Sequence, residues 1–303
     1  MVVALALASF TLAGLMSPRM LLILTFALSA GDAFESPTWR AVLPEFVPKK
    51  DLAAAAALNG IEFNFARAIG PAQAGILIAA AGVGAAFLVN AVSFLGVIIV
   101  VARWKRTVRK RTTPRETLTG ATIAGLRYVR YSPAIRALIF RSGCVMFFAS
   151  GLLALLPSVA HNVKDSPIVY GLLLGCFGLG AVLGALLLQP AQARLSTERV
   201  VSGGIVVLGV ATIAAASLHA LPALSMAVLM GGAAWIVFIS LFNVLILNLT
   251  PDWVRARVLA VSIVVFQGAV AAGSAAWGAL AGRVGIQNAL LWAGVGTVAT
   301  AVL

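Results

Sequence analysis

VPKKDLAAAAALNGIEFNFARAIGPAQAGILIAAAG, residues 47–82, aligns without a gap on TPDWVRARVLAVSIVVFQGAVAAGSAAWGALAGRVG, residues 250–285. Pro48, Gly70, Gly75, Leu77 and Gly82 return as Pro251, Gly273, Gly278, Leu280 and Gly285, each 203 residues further on. Each copy reads as a Pro turn, a long apolar helix interrupted by glycines, and a tight Gly turn. A parallel repeat of this length in a strongly apolar chain points to two pseudo-symmetric helical bundles, the arrangement in which two halves rock around a central site.

Composition sets the solvent. Hydrophobic residues make up 61% of the chain and charged residues 10%, against roughly 25% charged in an ordinary soluble domain. Ten apolar runs, at 1–16, 20–42, 52–80, 83–102, 138–160, 168–189, 200–219, 222–247, 257–282 and 287–303, are candidates to cross a membrane. About 20 residues are needed to span a hydrocarbon core as a helix, whereas an outer-membrane barrel would show short alternating segments. The fold class predicted is therefore an all-α membrane protein.

The net charge of +13 would suggest a nucleic-acid partner in a soluble protein, but its placement indicates topology instead. Arg19, Lys164 and Arg283 are the only basic residues in the odd-numbered connections between runs. Seventeen others lie in or beside the even-numbered ones, from Lys49 and Lys50 through the segment 103–136 to Arg255 and Arg257. Arg141, although it falls inside the run at 138–160, is counted with that flank. The bias predicts that the even connections are cytoplasmic, and no nucleic-acid partner is expected.

Three regions follow. Residues 1–103 read as an N-terminal bundle, 104–136 as a cytoplasmic linker and 137–303 as a C-terminal six-helix bundle. The linker opens on the basic cluster WKRTVRKRTTPR and continues with Leu118, Ile123, Leu126 and Val129 on one helical side, beside Arg127 and Arg130. That pattern predicts an amphipathic helix at the cytoplasmic membrane surface. The repeat offset carries the runs at 138–160 and 168–189 to positions before Met1, so two helices of the first bundle have no counterpart here. The expectation is about ten transmembrane helices of a twelve-helix bundle, truncated at both ends as a fragment or a mis-started gene model. Met1 opens directly into an apolar run, which predicts no cleavable signal peptide.

GDAFESPTWRAVLPEFVPKKDLAAAAALN (31–59), ARAIGPAQAGIL (66–77), GLRYVR (125–130) and TPDWVRARVLAV (250–261) together resemble the major facilitator superfamily. Within it they resemble the enterobactin-exporter and macrolide-efflux branch. The resemblance covers essentially the whole chain and implies a major facilitator fold in the bacterial inner membrane. It further implies export of a small amphipathic molecule, siderophore or drug-like, by alternating access. ARAIGPAQAG resembles the superfamily's antiporter motif, keeping Gly70, Pro71 and Gly75. Ala66 replaces a usual glycine and Ala74 the first glycine of the closing pair, which weakens the implied exchange for protons.

Ionisable side chains inside spans are costly and mark candidate functional sites. Asp32, Glu35, Glu62 and Arg67 qualify. Thr25, Ser29, Asp32, Glu35, Ser36, Trp39 and Arg40 share an arc of about 140° at 100° per residue, a polar stripe suited to a water-filled path. Asp32, Glu62 and Glu35 are the proton-coupling candidates and Arg67 their electrostatic partner. Glu35 with Arg40 reads equally as an interfacial pair, and Asp32 with Arg67 as a structural one. On the following run, Gly60, Asn64, Arg67, Pro71 and Gly75 form a small-residue face suited to close helix packing. In the second half, Gly171, Gly175, Gly180 and Gly184 suit tight packing, and Phe147, Phe148, Trp235 and Phe238 could contact an amphipathic substrate or simply pack.

Cys144 and Cys176 offer no disulfide or metal-ligand spacing, and His161 and His219 stand alone at span ends. No H-E-x-x-H, Walker loop or G-x-S-x-G elbow occurs, so neither an enzyme, a metal nor a cofactor is expected. The expected partners are a small-molecule substrate, protons and the lipid bilayer, with the protein acting as a monomer. The alternatives are a nutrient importer or facilitator, and an inert, non-transporting fragment.

The topology yields a direct prediction. In a cysteine-free background, Asp165→Cys should react with an impermeant thiol reagent added to intact cells and Thr112→Cys should be protected. Labelling of Thr112→Cys from outside would invert the orientation.

Overall fold

The computed structural model describes residues 1–31, 52–103, 118–164, 166–251 and 253–302, with side chains left out at 52–65, 67–69, 71–72, 118–119 and 121–122. Among the described residues the chain forms helices and no strand. They are α1 (Val2–Leu12), α2 (Pro18–Gly31), α3 (Leu52–Arg103), α4 (Leu118–Tyr131), α5 (Pro133–Val163), α6 (Pro167–Arg194), α7 (Thr197–Ser217), α8 (Leu221–Leu249), α9 (Arg255–Val284) and α10 (Ile286–Ala299), followed by a 3₁₀ turn at Thr300–Val302. Gln73–Arg103, α5, α6, α7, α8 and α9 are long and apolar enough to cross a membrane, and Val2–Leu12, Pro18–Gly31 and Ile286–Val302 are shorter apolar helices.

Among the described residues each of the ten expected runs falls on a helical segment, residues 32–42 of the second run lying outside them. Two of them lie on α3, which is divided by Gly82 at φ 84° and ψ 168°. The equivalent glycine of the second copy, Gly285, separates α9 from α10 at φ 86° and ψ 157°. Nothing lies within 4 Å of a Cβ built on either. What these positions require of glycine is therefore the backbone conformation, which L side chains rarely adopt, and not space. The repeat read from sequence is thus a repeat of structure.

The chain divides into two compact units, one built from Met1–Ala66 and Gly70–Thr112 and the other principally from Thr113–Leu303. In the first, Ala4, Leu7 and Ala8 of α1 and Ala91 of α3 are buried, and Gly84 of α3 leaves room for Leu12 of α1. In the second, α5 to α10 form a six-helix bundle. Proline at the first turn starts α5, α6 and α8, where its missing N–H costs nothing. The core runs from Val145 and Leu156 of α5 through Leu173, Ile205, Leu208, Val228 and Leu241 to Leu290 of α10. A separate cluster of Ile135, Ile139, Phe242, Ile246, Val254 and Val258 closes one end, with Tyr128 and Val129 of α4 packed on it.

Small residues set the helix spacing. A Cβ on Gly180 or Gly184 of α6 would strike the carbonyls of Leu229 and Ala233 on α8, and one on Gly232 of α8 would strike the carbonyl of Phe177 on α6. Both partners omit a side chain where they cross, so the backbones meet directly. Gly209 of α7 and Gly294 of α10 meet in the same manner, each 2.8 Å at its Cβ position from the other's carbonyl oxygen. Subtracting the repeat offset places Gly294 on Ala91, a second small buried residue at the corresponding place in the first unit.

Gly285→Ala should lower stability by about 1–3 kcal/mol, the cost of holding a non-glycine residue in this backbone region. Gly278→Ala, in a helix with nothing within 4 Å of the new methyl, should be neutral or stabilise by up to about 1 kcal/mol. Thermal unfolding in detergent compares the two, and equal effects would remove the conformational argument.

Candidate functional site

Of the residues expected to move protons, Asp32 and Glu35 lie outside the described residues, as does Arg40. Glu62, Arg67 and Pro71 lie on the first segment of α3, where only the backbone is described. Gly75 is buried, whereas Gly70 meets nothing within 4 Å of its Cβ position, and Ala66, Gln73 and Ala74 are exposed.

The corresponding stretch of the second repeat, on α9, is described in full. At Gly273, the counterpart of Gly70, the Cβ position is blocked by the Phe147 carbonyl and the Ser150 hydroxyl of α5. One turn further, Trp277 donates its indole N–H to the same Phe147 carbonyl at 2.9 Å. Ser150 Oγ donates to that carbonyl as well, at 2.8 Å. The backbone contact brings Phe147, Phe148 and Trp277 together, with ring centroids 5.4, 6.0 and 5.9 Å apart. Phe147 and Phe148 are half-buried, so their rings are held but not sealed off.

Trp235 and Phe238 of α8 are only 5% and 2% exposed. Trp235 stands edge-on to Phe177 and Phe238 stacks on Phe242, which makes them packing residues of the α6–α8 core. The Trp235 indole nitrogen has no hydrogen-bond partner. Asn243 on α8 and Gln267 on α9 are exposed. Cys144 and Cys176 are free and half-buried. Among the described residues no three His, Cys, Asp or Glu side chains cluster as metal ligands would.

One basic side chain at a span edge does more than mark topology. Arg141, two turns into α5, keeps only 14% of its side chain exposed. Its Nη1 donates to Glu198 Oε1 of α7 at 2.7 Å, and its Nη2 donates to Ser202 Oγ at 3.1 Å and to the Ala301 carbonyl at 3.4 Å. Arg141 thereby joins α5, α7 and the 3₁₀ turn after α10. Its Nε has no partner, and the residue borders a cavity of about 10 Å³ with Leu138, Ser142, Val201, Phe238 and Phe242, room for about one water. The signal was present in the sequence: an arginine inside a run at 138–160 must find a partner.

The profile of the transmembrane secretion effector family matches residues 1–303, and the chain belongs to that family, within the major facilitator superfamily. It is 27% identical over 207 residues to the multidrug efflux pump Tap of Mycolicibacterium fortuitum, covering 66% of this chain and 49% of that protein. It is 30% identical over 147 residues to the enterobactin exporter EntS of Salmonella typhimurium, covering 48% of this chain and 35% of that protein. The chain thus spans about half the length, or less, of these relatives. A crystal structure of a bacterial homologue of the human lysosomal transporter Spinster, inward-facing and unoccupied, superposes with a TM-score of 0.66 at 16% identity. The match covers 99% of this chain and 78% of that one. The fold is therefore the major facilitator fold, and the chain is a multi-pass protein of the bacterial inner membrane.

Arg141→Ala should destabilise the C-terminal bundle by about 1.5–3 kcal/mol, the range for hydrogen bonds to a charged group. Glu198→Gln should cost less than about 1 kcal/mol, because the Glu198 side chain is 66% exposed and readily solvated. Unfolding midpoints of the two variants in detergent test the asymmetry.

Proposed function

We propose that the protein is part of, or is itself, a secondary active transporter that exports a small amphipathic molecule by alternating access in exchange for protons. The observation that carries this is membership of the secretion effector family, together with relatives named as a multidrug efflux pump and an enterobactin exporter. The two copies of the helix–glycine–helix unit, hinged alike at Gly82 and Gly285, support the alternating-access half of the reading. The half-buried aromatic group of Phe147, Phe148 and Trp277 offers flat apolar surface suited to an amphipathic substrate. The second bundle carries no Asp or Glu within its apolar runs, since Asp165, Glu198 and Asp252 all fall between runs in the sequence. Proton coupling is accordingly assigned to Asp32, with Glu62 next and Glu35 third. On this reading, desolvation in the span favours the neutral carboxyl and pairing with Arg67 the charged one, so alternation between the two loads and releases one proton per cycle.

The orientation carries over from the distribution of basic residues, with both ends of each bundle and the segment 103–136 in the cytoplasm. The three-part division at 103 and 136 and a monomeric working state belong to the same proposal.

The test is efflux of a fluorescent amphipath from energised cells expressing the gene with any upstream reading frame included. Asp32→Asn preserves size but cannot ionise, and should abolish protonophore-sensitive efflux while leaving membrane insertion intact. Glu35→Gln should reduce it by less. Uphill, protonophore-sensitive efflux that survives Asp32→Asn would move coupling to Glu62 or elsewhere. Proton-driven accumulation in place of efflux would favour an importer.

A further inference from the structure

The helix α4 gives only part of its apolar side to the protein. Its inner face, at Gly125, packs so closely on α9 that a Cβ there would lie 3.0 Å from Arg257 Cβ, and Tyr128 and Val129 continue that face into the cluster around Val254 and Val258. Ile123 and Leu126 remain 51% and 52% exposed. Beside them runs an open groove of about 570 Å³ whose walls are Ile123, Arg127, Tyr128 and Tyr131 of α4 and Trp253 from the turn before α9. Ile123, Arg127 and Tyr131 follow one another at four-residue spacing and form one rim. The floor is opened by the small residues Gly120 and Ala124. Tyr128 stands edge-on to Trp253, with centroids 5.7 Å apart, and so fixes the far wall.

The chemistry of this groove is graded. Its lining is mostly apolar and aromatic, with one guanidinium and two phenol hydroxyls among the side chains that line it. Arg127 and the Tyr131 hydroxyl are engaged by no other described residue, and Tyr131 and Trp253 are 78% and 67% exposed. The surrounding sequence is basic: residues 115–136 and 250–258 carry six arginines against Glu116 and Asp252. Tryptophan and tyrosine beside arginine at the end of a membrane span are the side chains that favour the headgroup layer. The volume lies within the range of small-molecule sites and exceeds what a lone ion would fill.

We propose that this α4–α9 groove is a binding site for one anionic phospholipid. The phosphodiester sits on Arg127 with the Tyr131 hydroxyl, and the upper part of an acyl chain lies along Ile123, Tyr128 and Trp253. Occupied, the lipid covers Ile123, which α4 leaves bare, and ties the linker helix to the turn before α9. The proposal is independent of the direction or coupling of transport, and its test uses binding alone.

The experiment titrates the purified full chain in detergent micelles with brominated phosphatidylglycerol or brominated phosphatidylcholine and reads tryptophan quenching. The groove signal is the difference between the native protein and Trp253→Phe. Phosphatidylglycerol should quench this component at a concentration about fivefold or more below phosphatidylcholine, the preference expected of one well-placed basic residue. Arg127→Gln should erase that preference while leaving the phosphatidylcholine curve unchanged. Arg130→Gln, which alters an exposed arginine outside the groove, should retain it. Equal midpoints for the two lipids, or a preference that survives Arg127→Gln, would overturn the proposal. So would a Trp253 component that neither lipid quenches, which would mean that protein covers the groove. If Arg127→Gln proves unfolded by circular dichroism, the salt dependence of the native protein decides: a preference unaffected by 0.5 M salt would be fatal to an electrostatic site.

Discussion

The C-terminal bundle depends on direct backbone contact at a few glycines. In a membrane, lipid tails are as apolar as leucine side chains, so helices gain little by leaving lipid for each other and must be held by close packing. Gly180 and Gly184 facing the backbone at Leu229 and Ala233, with Gly232 facing the Phe177 carbonyl, fix both the distance and the register of α6 on α8. Gly273 does the same for α9 on α5, and Gly209 with Gly294 for α7 on α10. Larger residues then fill the wedges that diverge from each crossing. The aromatic group at Phe147, Phe148 and Trp277 is a product of one such crossing, because only a bare α-carbon at Gly273 lets the Trp277 indole reach the Phe147 carbonyl.

Polar groups in this interior follow the same economy. The hydroxyls of Ser142, Ser150, Thr212, Thr250, Ser262, Thr297 and Thr300 are all buried, and each bonds to a carbonyl three or four residues earlier in the chain. Such bonds satisfy the hydroxyl without a neighbour and leave the helix surface effectively apolar. Arg141 departs from this pattern by reaching from α5 to two other elements, α7 and the closing 3₁₀ turn. It couples the start of α5 to the start of α7 and to the end of the bundle, adding polar bonds to segments that the apolar core also joins.

Much of the fold was legible because its cause is local. The apolar runs follow from the length a membrane demands, and the repeat followed from five residues at one offset, of which Gly82 and Gly285 proved to share an unusual backbone conformation. The small-residue pattern on α6 announced a close crossing, although its partner glycine, Gly232, lies in a run whose own pattern says nothing of α6. The candidate site was less legible. Arg141 was read from the company it keeps in sequence, other basic residues at a span edge, and not from its depth. Trp235 and Phe238 could not be told from ligand-facing aromatics, because which side of a bundle helix faces inward is set by tertiary packing; the weak amphipathicity of α8 gives no direction. For α4 the strong alternation of apolar and basic residues identified an amphipathic helix, but the face it gives to protein begins at Gly125, not at its larger apolar residues.

The one-residue connections at Gly82 and Gly285 also bear on how the molecule can deform. A link of a single residue has almost no slack, so the helices on either side cannot slide past one another as those joined by longer loops can. The α9–α10 pair behaves kinematically as one bent lever with its elbow at Gly285. Its α10 arm is clamped where Gly151 of α5 abuts Ala293 and where Gly209 of α7 abuts Val298. A tilt of α9 must then either lever that clamp open or be absorbed along α9 itself, where exposed Gly268 and Gly278, with no neighbouring atom at their Cβ positions, leave the helix easiest to bend.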